Sequence, residues 1–529
     1  MLSHIFELAC SPPSAATMAF KAALTHVCRY WRGVLLSYPK IWTNIFARRD
    51  TIDFFSECLL RSRTLPIHLN FHYHMGWDSP SGCSCEGPSS LASRRVRCPH
   101  VRARKTAELF GQYGSRERLR SLDLLIFFSD LTDARSVELE DTSFFGRSLP
   151  ELQTLRLVCL DAAQSDEEFF IGDDIFSREL PRLQHLSLVH CWGGLTSWVI
   201  GLTSFHLEFR HSCYISSAEF ITFLAHNSQT LEVLSLDNIV TTSGDAGNES
   251  VTLTNLRELK LKRITDPVGL LSHLVPPMFE NLATLRVRLS DGMTTFSATS
   301  DTGAVLQVIE SEEDSFSWCT YGLASYQWAQ ISSLDLDLDG LQESLRLDVE
   351  DLYRSIPSLE TMEIRTVFHL REIFLPFLPT KQVLHPSLKL LRLPVTREVQ
   401  DEVFSGLTTI TYGRKAMGCV MWDVECICDE GCEEISDQWA IHCEKNGFSN
   451  PEIVKFTTDP EYLGRQRKVS KGQPTRSVSL PKANISEASR ALSYSTLSDT
   501  QSRIRGRRFV NTSLLIRKTS LLKRRSSLH

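Results

Sequence analysis

Thiols and imidazoles are the side chains best able to hold a metal ion or attack a substrate, and this sequence gathers them in two places. The first holds His72, His74, Cys83, Cys85, Cys98 and His100. Zinc sites usually draw thiolates from C-x₂₋₄-C pairs, whose loop length permits tetrahedral geometry, and Cys83-x-Cys85 is tighter than that. The flanking Ser79-Pro80-Ser81-Gly82 and Gly87-Pro88-Ser89-Ser90 read as a flexible excursion instead. The second place holds Cys419, Cys426, Cys428, Cys432 and His442-Cys443. Its Cys428-x₃-Cys432 spacing and ligand types suffice for one zinc, but the preferred reading is a segment sealing the end of the body, with cysteines as small apolar fillers. No metal and no cofactor is therefore expected. A third cluster sets Glu312-Glu313-Asp314 before Phe316, Trp318, Tyr321, Tyr326 and Trp328. Aromatics exposed beside acids would make a recognition surface, with Phe316, Trp318 and Tyr321 as target-binding candidates; an irregular element burying the same rings is an equal alternative. The phosphate-loop, dinucleotide, nucleophile-elbow and H-E-x-x-H patterns are absent, and no Ser, His and Asp spacing suggests a triad, so a non-catalytic protein is expected.

The elements that would position these residues follow from bulk composition and periodicity. A chain of 529 residues is too long for one ordinary core, and 42% hydrophobic with 23% charged residues is a globular composition. The net charge of −6 is uneven. Residues 464–529 carry 16 Lys and Arg against 2 acids (+14), and the preceding 463 carry 41 against 61 (−20). The sequence thus predicts an acidic body and a disordered basic tail rich in Ser and Arg. The tail offers Arg465-x-Arg467-Lys468, Arg505-Gly506-Arg507-Arg508 and Lys523-Arg524-Arg525 as import or phosphate-binding patches, and Arg-Arg-Ser-Ser at 524–527 as a basophilic kinase site. Only Tyr494 and Phe509 could stack bases there, which argues against sequence-specific RNA binding. No run reaches 18 apolar residues, so no membrane partner is expected. Met1-Leu2-Ser3-His4-Ile5-Phe6 lacks a signal-peptide pattern, and the odd count of 15 cysteines fits reduced thiols in the cytoplasm or nucleus.

A leucine period dominates the middle of the chain. Leu-x-x-Leu-x-Leu occurs at Leu119/Leu122/Leu124, Leu152/Leu155/Leu157, Leu183/Leu186/Leu188, Leu231/Leu234/Leu236, Leu256/Leu259/Leu261 and Leu388/Leu391/Leu393. Looser copies stand at Leu202/Phe205/Leu207, Leu282/Leu285/Val287, Ile331/Leu334/Leu336 and Leu359/Met362/Ile364. Successive steps are 33, 31, 19, 29, 25, 26, 49, 28 and 29 residues, mostly in or near the range of leucine-rich repeats. The last two apolar residues of each copy, two apart, should point from a short strand into a shared core that only stacked neighbours can complete. Proline two residues before the first leucine, at Pro150, Pro181, Pro357 and Pro386, would end the preceding helix. Segments such as Ser216–Asn227, with Phe220, Phe223 and Leu224, read as amphipathic helix. The expected fold is an α/β leucine-rich-repeat solenoid, a parallel-sheet horseshoe, over residues 116–415. A connecting region over 47–115 precedes it and a Cys-containing cap over 416–463 follows. The 49-residue step is expected to hold a degenerate repeat or an insertion.

The first 46 residues read as a small all-α module. Leu2, Ile5, Phe6 and Ala9 share one helical face that Ser11-Pro12-Pro13 ends. A second helix is expected from Ala15 to Leu36, with Phe20, Ala23, Leu24, Val27, Trp31 and Val34 as its apolar stripe and Tyr38-Pro39 as its stop. The run Leu2-x-x-Ile5-Phe6, then Val27-Cys28-Arg29-Tyr30-Trp31-Arg32-Gly33-Val34, then Tyr38-Pro39-Lys40-Ile41-Trp42, resembles the F-box, and most of all the F-box-like domains of mushroom-forming fungi. It covers under a tenth of the chain and departs from the family at its start, which lacks the usual Leu-Pro-x-Glu. The resemblance implies docking on a Skp-type adaptor of a cullin-RING (SCF) ubiquitin ligase core through Leu2, Ile5, Phe6, Val27, Cys28 and Trp31, with Pro39 and Trp42 closing the module. Val27 and Trp42 are the members most expected in the module's own core. The expected role is a substrate receptor that ubiquitinates nothing itself and holds a target protein on its repeats. The alternatives are a repeat scaffold without ligase engagement and a nucleic-acid-associated protein acting through the tail.

Overall fold

In a computed structural model the chain divides between Asp459 and Pro460. The structure describes residues 2–10, 14–47, 52–72, 116–126, 149–159, 170–171, 180–193, 199–242, 250–265, 270–271, 273–274, 282–290, 293–311, 330–337, 349–365, 385, 387–397, 399–416, 422–428, 432–447 and 453–458. All belong to the first unit. The predicted tail and Pro386 lie outside them.

The N-terminal helices are α1 (Leu2–Ala9), α2 (Ala15–Val27) and α3 (Arg29–Ser37), followed by a 3₁₀ turn at Pro39–Trp42, strand β1 (Asn44–Ala47), helix α4 (Ile52–Arg61) and strand β2 (Ile67–His72). The single helix expected over 15–36 is in fact two. Cys28 is extended (φ −158°, ψ 166°), and its Sγ accepts the Trp31 N–H at 3.4 Å, so the thiol caps α3 where the sequence carries no Gly or Pro to announce a break.

Every copy of the leucine motif places its last two apolar residues on a strand. These strands are β3 (Leu119–Ile126), β4 (Thr154–Cys159), β6 (His185–Val189), β8 (Ser204–Ser216), β9 (Val233–Thr242) and β10 (Glu258–Lys262), then β11 (Leu282–Ser290), β14 (Ser333–Asp337), β15 (Thr361–Ile364) and β16 (Leu390–Val395). Strands β12 (Met293–Ser300), β13 (Val305–Ser311), β17 (Asp423–Cys428) and β18 (Val454–Thr457) join them, and β5 (Phe170–Ile171) pairs with β7 (Trp192–Gly193) apart. Among the described residues the large sheet has sixteen strands, in the order β1-β2-β3-β4-β6-β8-β9-β10-β13-β12-β11-β14-β15-β16-β17-β18. It is not closed, since β1 and β18 each have one strand partner. All its pairings are parallel except β11–β12 and β12–β13. The result is an α/β protein with a mostly parallel sheet.

The register explains the leucines. Leu69, Leu122, Leu155, Leu186, Phe205, Leu234, Leu259 and Leu306 stand opposite one another from β2 to β13, and Leu285, Leu334, Met362, Leu391, Val424 and Val454 from β11 to β18. All are buried, because a strand alternates its side chains and a one-residue slip would put the whole row in water. A second feature repeats with them. At most of the motifs the residue after the first apolar position donates its N–H to the carbonyl of its counterpart one strand back. The chain of bonds runs Gln153 to Arg120, Gln184 to Gln153, Thr203 to Gln184, Glu232 to Thr203 and Arg257 to Glu232, all at 2.8–2.9 Å. It resumes with Ser332 to Ala283, Glu360 to Ser332, Lys389 to Glu360 and Asp423 to Lys389, at 2.7–2.9 Å.

The helices complete the burial. Helix α5 (Ser217–Asn227) starts on its N-cap Ser216 and buries Phe220, Phe223 and Leu224, as its spacing predicts. At its end the fully buried Asn227 is satisfied on three sides, accepting from the Leu202 N–H and donating to the Val199 and Phe223 carbonyls, each at 3.0 Å. Helices α6 (Val349–Ser355), α7 (Gln400–Ala416) and α8 (Cys432–Lys445) flank the later strands, and α6 stops just before Pro357. The N-terminal helices share the hydrophobic core of the sheet, through Phe6, Met18, Leu24, Leu35, Ile41 and Trp42.

Candidate interaction surfaces

The N-terminal helices join the sheet at its first strand. Strand β1 has β2 on one side only, so its outer carbonyls need other donors. Lys21 supplies one from α2: its ammonium, fully buried, donates to the Asn44 carbonyl at 2.5 Å. Burial pulls the Lys21 ammonium below its ordinary pKa. The nearby Cys10 and Cys58 are buried too, and burial raises both thiols, Cys58 to about 12, so neither is a ready nucleophile. Across the same junction Trp42 is buried, its Nε1–H donates to the Leu35 carbonyl at 2.8 Å, and the Arg61 guanidinium lies 4.8 Å above its ring. Glu7 pins α1 to the following turn by pairing with Lys40 at 2.5 Å and accepting from the Tyr38 hydroxyl at 3.0 Å. The Lys40 ammonium holds the Glu7 carboxyl below its usual range.

This arrangement sets the orientation of α2. Its inward side is Thr17, Met18, Lys21 and Leu24. Its outward side is Ala16, Ala19, Phe20, Ala23, His26 and Val27, spaced 3, 1, 3, 3 and 1 apart on one helical face without a Lys, Arg, Asp or Glu among them. Of the expected apolar stripe, Phe20, Ala23 and Val27 are exposed and Leu24 is buried; Val27, named both as an adaptor-facing residue and as an expected core member, is 57% exposed and so not in the core. Periodicity located the apolar residues but not the inward side, which holds Lys21 on the Asn44 carbonyl together with Met18 and Leu24. Helix α1 is apolar on both sides: Phe6 is buried, while Ile5 is 53% and Leu8 64% exposed. Of the other residues singled out in the sequence, Cys28 is exposed, and Leu2, Trp31 and Pro39 are half-buried. Trp31 meets Phe6 edge to face at 5.1 Å. Phe6 and Trp42 are core residues. Leu8 and Tyr30, the latter 70% exposed, add to this apolar surface and were not singled out as site residues from the sequence.

The open face of the sheet has the opposite character. Its outward side chains pair across neighbouring strands: Arg156 with Asp123 at 3.3 Å, Arg286 with Asp335 at 2.6 Å, Arg288 with Asp337 at 2.9 Å and Arg392 with Glu425 at 2.7 Å. Asp237 holds both Lys262 at 2.9 Å and Arg263 at 2.6 Å. Between them the His206 ring links Ser235 Oγ (Nδ1, 2.9 Å) to Glu208 Oε2 (Nε2, 3.3 Å), a relay that sequence spacing had hidden because Ser235 stands on the next strand. These three residue types can pass a proton, and they lie on the outward side of two neighbouring parallel strands. Their evident work is to fix the imidazole between two strands. A groove of about 390 Å³ lies at the strand entries beside Gln153, Gln184 and Ile200, where Arg182 is already paired with Glu151.

The other clusters carry less. Among the described residues no group of three His, Cys, Asp or Glu side chains is placed to hold a metal. Cys426, Cys428 and Cys443 are buried, and burial raises the Cys426 thiol strongly. His74, Cys83, Cys85, Cys98, His100 and Cys419 lie outside the described residues, as do Phe316, Trp318 and Tyr321. No helix among the described residues is long and apolar enough to cross a membrane. No protein-family model and no curated protein matches the chain.

Proposed function

We propose that this protein is the substrate receptor of an SCF-type ubiquitin ligase, docking a Skp-type adaptor by its N-terminal helices and holding a target protein on a leucine-rich-repeat solenoid. The observation that carries the reading is the inverted helix α2. A buried lysine and an outward Ala16, Ala19, Phe20, Ala23, Val27 face are unfavourable for an isolated surface helix, which gains by the reverse arrangement. The inversion becomes favourable when a second protein covers the outward face, as an F-box is covered by its adaptor. Small residues beside Phe20 and Val27 let another helix approach closely, and Ile5, Leu8 and Tyr30 extend the apolar area. With Lys21 buried and Lys40 paired with Glu7, the exposed Arg29 and Arg32 are the charge left on residues 1–46, so an acidic rim on the partner would speed the encounter.

The body fits the second half of the reading. Except at β11–β13, the strands of the large sheet succeed one another in chain order with the motif residues in register, as stacked repeats would arrange them, and this leaves a wide outward face for a target. The chain would contribute proximity while the partner enzymes perform the transfer. The test is co-purification of adaptor and cullin with the full chain and with its Phe20→Asp/Val27→Asp variant. The proposal expects both partners to follow the first and neither to follow the second; equal capture by both chains, or capture by neither, refutes it.

A further inference from the structure

One step in the strand order breaks the rhythm. After β10 the chain runs forward to β11, returns along β12 and comes back on β13, so that β13 and not β11 lies beside β10. We infer that residues 291–311 are an in-register insert, a two-strand cassette that the sheet can lose without losing its fold, and that β11 is built to pair directly with β10.

Three observations carry this. The first is length: the motif step from Leu282 to Ile331 is 49 residues, and without the 21 residues 291–311 it becomes 28, matching the neighbouring steps of 28 and 29. The second is register. Leu259 stands opposite Leu306, Leu306 opposite Ala298, and Ala298 opposite Leu285, while Lys260, Gln307, Ser297 and Arg286 form the adjoining outward row. Removing the two middle strands would therefore bring Leu259 to Leu285 and Lys260 to Arg286 with no slip in either row.

The third is the chain of backbone bonds at the strand entries. Its one break among the described motifs falls between Arg257 and Ala283. The Arg257 carbonyl accepts instead from the Val305 N–H at 2.7 Å, and the antiparallel pairing of β11 with β12 slips between Leu282 and Thr284, bulging at Ala283. Each end of the break thus keeps the geometry its counterparts use with one another. The far ends also allow closure. Ser290, Met293 and Ser311 stand in one row, so joining 290 to 312 shifts the exit by two strand spacings, roughly 10 Å, towards β14.

What the cassette adds is surface. Its outward residues are Thr295, Ser297 and Thr299 on β12 with Val305, Gln307 and Ile309 on β13, an uncharged strip between Lys260 on one flank and Arg286 and Arg288 on the other. It alters the open face while leaving the core rows in place.

The test is the full chain lacking 291–311, with Lys260→Cys and Arg286→Cys introduced. With the cassette present these positions are three strand spacings apart, roughly 14 Å, beyond the reach of a disulfide; without it they are adjacent, at about 5 Å. The expected result is a cooperative thermal transition in the shortened chain and a 260–286 disulfide found by peptide mass spectrometry, with none in the uncut chain carrying the same cysteines. A second junction removing only 293–311 guards against a poor join. Failure of both shortened chains to fold overturns the inference, as does a folded shortened chain without the crosslink.

Discussion

The N-terminal helices and the open face of the sheet solve the problem of exposed surface in opposite ways. On the sheet, apolar residues point in, and the outward charges are spent on one another across strands, as in Arg286–Asp335 and Arg392–Glu425. On α2 a charge points in, and Phe20 and Val27 point out. Cross-strand pairs favour one register and penalise a slipped one, so the charges of the sheet serve its own assembly. The outward residues of α2 do nothing comparable for the fold. The difference is that the sheet answers its outward charges with the neighbouring strand, while the apolar outward face of α2 is the surface that the proposed docking would cover.

The comparison breaks most sharply at its cores. Trp42→Ala empties the joint between helices and sheet and removes the donor to Leu35, and it should destabilise the protein by about 3–5 kcal/mol in urea unfolding. A loss below 1 kcal/mol would mean that helices and sheet do not depend on this joint. A somewhat smaller effect is expected on the sheet side from pH. His385 is buried at the entry to β16 against Tyr353 (5.4 Å), and Arg414 donates to its carbonyl at 3.1 Å. Burial, aided by the Arg414 charge, lowers its pKa to about 4. The folded state therefore binds fewer protons than the unfolded one between the unfolded value near 6.5 and about 4. Stability should be complete above the upper value and fall as the pH drops through this window, by about 3 kcal/mol in all. His385→Asn, which tolerates the φ of 51° there, should flatten the profile in that range; an unchanged slope would assign the acid sensitivity elsewhere.

Two smaller effects sharpen the contrast. Arg288→Ala removes a half-exposed pair and should lower stability by only about 0.5 kcal/mol, since solvent screens such pairs. Phe20→Ser, on the outward face of α2, should change stability by less than about 0.5 kcal/mol, because the side chain leaves no cavity behind. A loss of 2 kcal/mol or more in thermal or urea melts would show that Phe20 belongs to the fold.

Much of the body was legible in the leucines, since a period-two pair at fixed spacing admits few structures besides a strand facing a core. The places where reading stopped share a cause. Strand β12 is Met-Thr-Thr-Phe-Ser-Ala-Thr-Ser, an alternation of small and hydroxyl residues without leucine, so only the 49-residue gap hinted at it. On α2 the period was visible, but a stripe of Phe20, Ala23, Leu24 and Val27 does not say which side faces inward; that side holds Lys21 on Asn44, a contact 23 residues away. The break at Cys28 escaped because a thiol cap is a weak local signal. Long-range partners decided each of these points, and no local window contains them.

The most direct measurement is backbone hydrogen exchange of the full chain with and without a purified Skp-type adaptor at saturating concentration. Added protection confined to residues 2–37, strongest over 16–31, is the expected result. Protection spread over the strands, or exchange unchanged in the helices, would contradict the claim that the outward face of α2 was built for that partner.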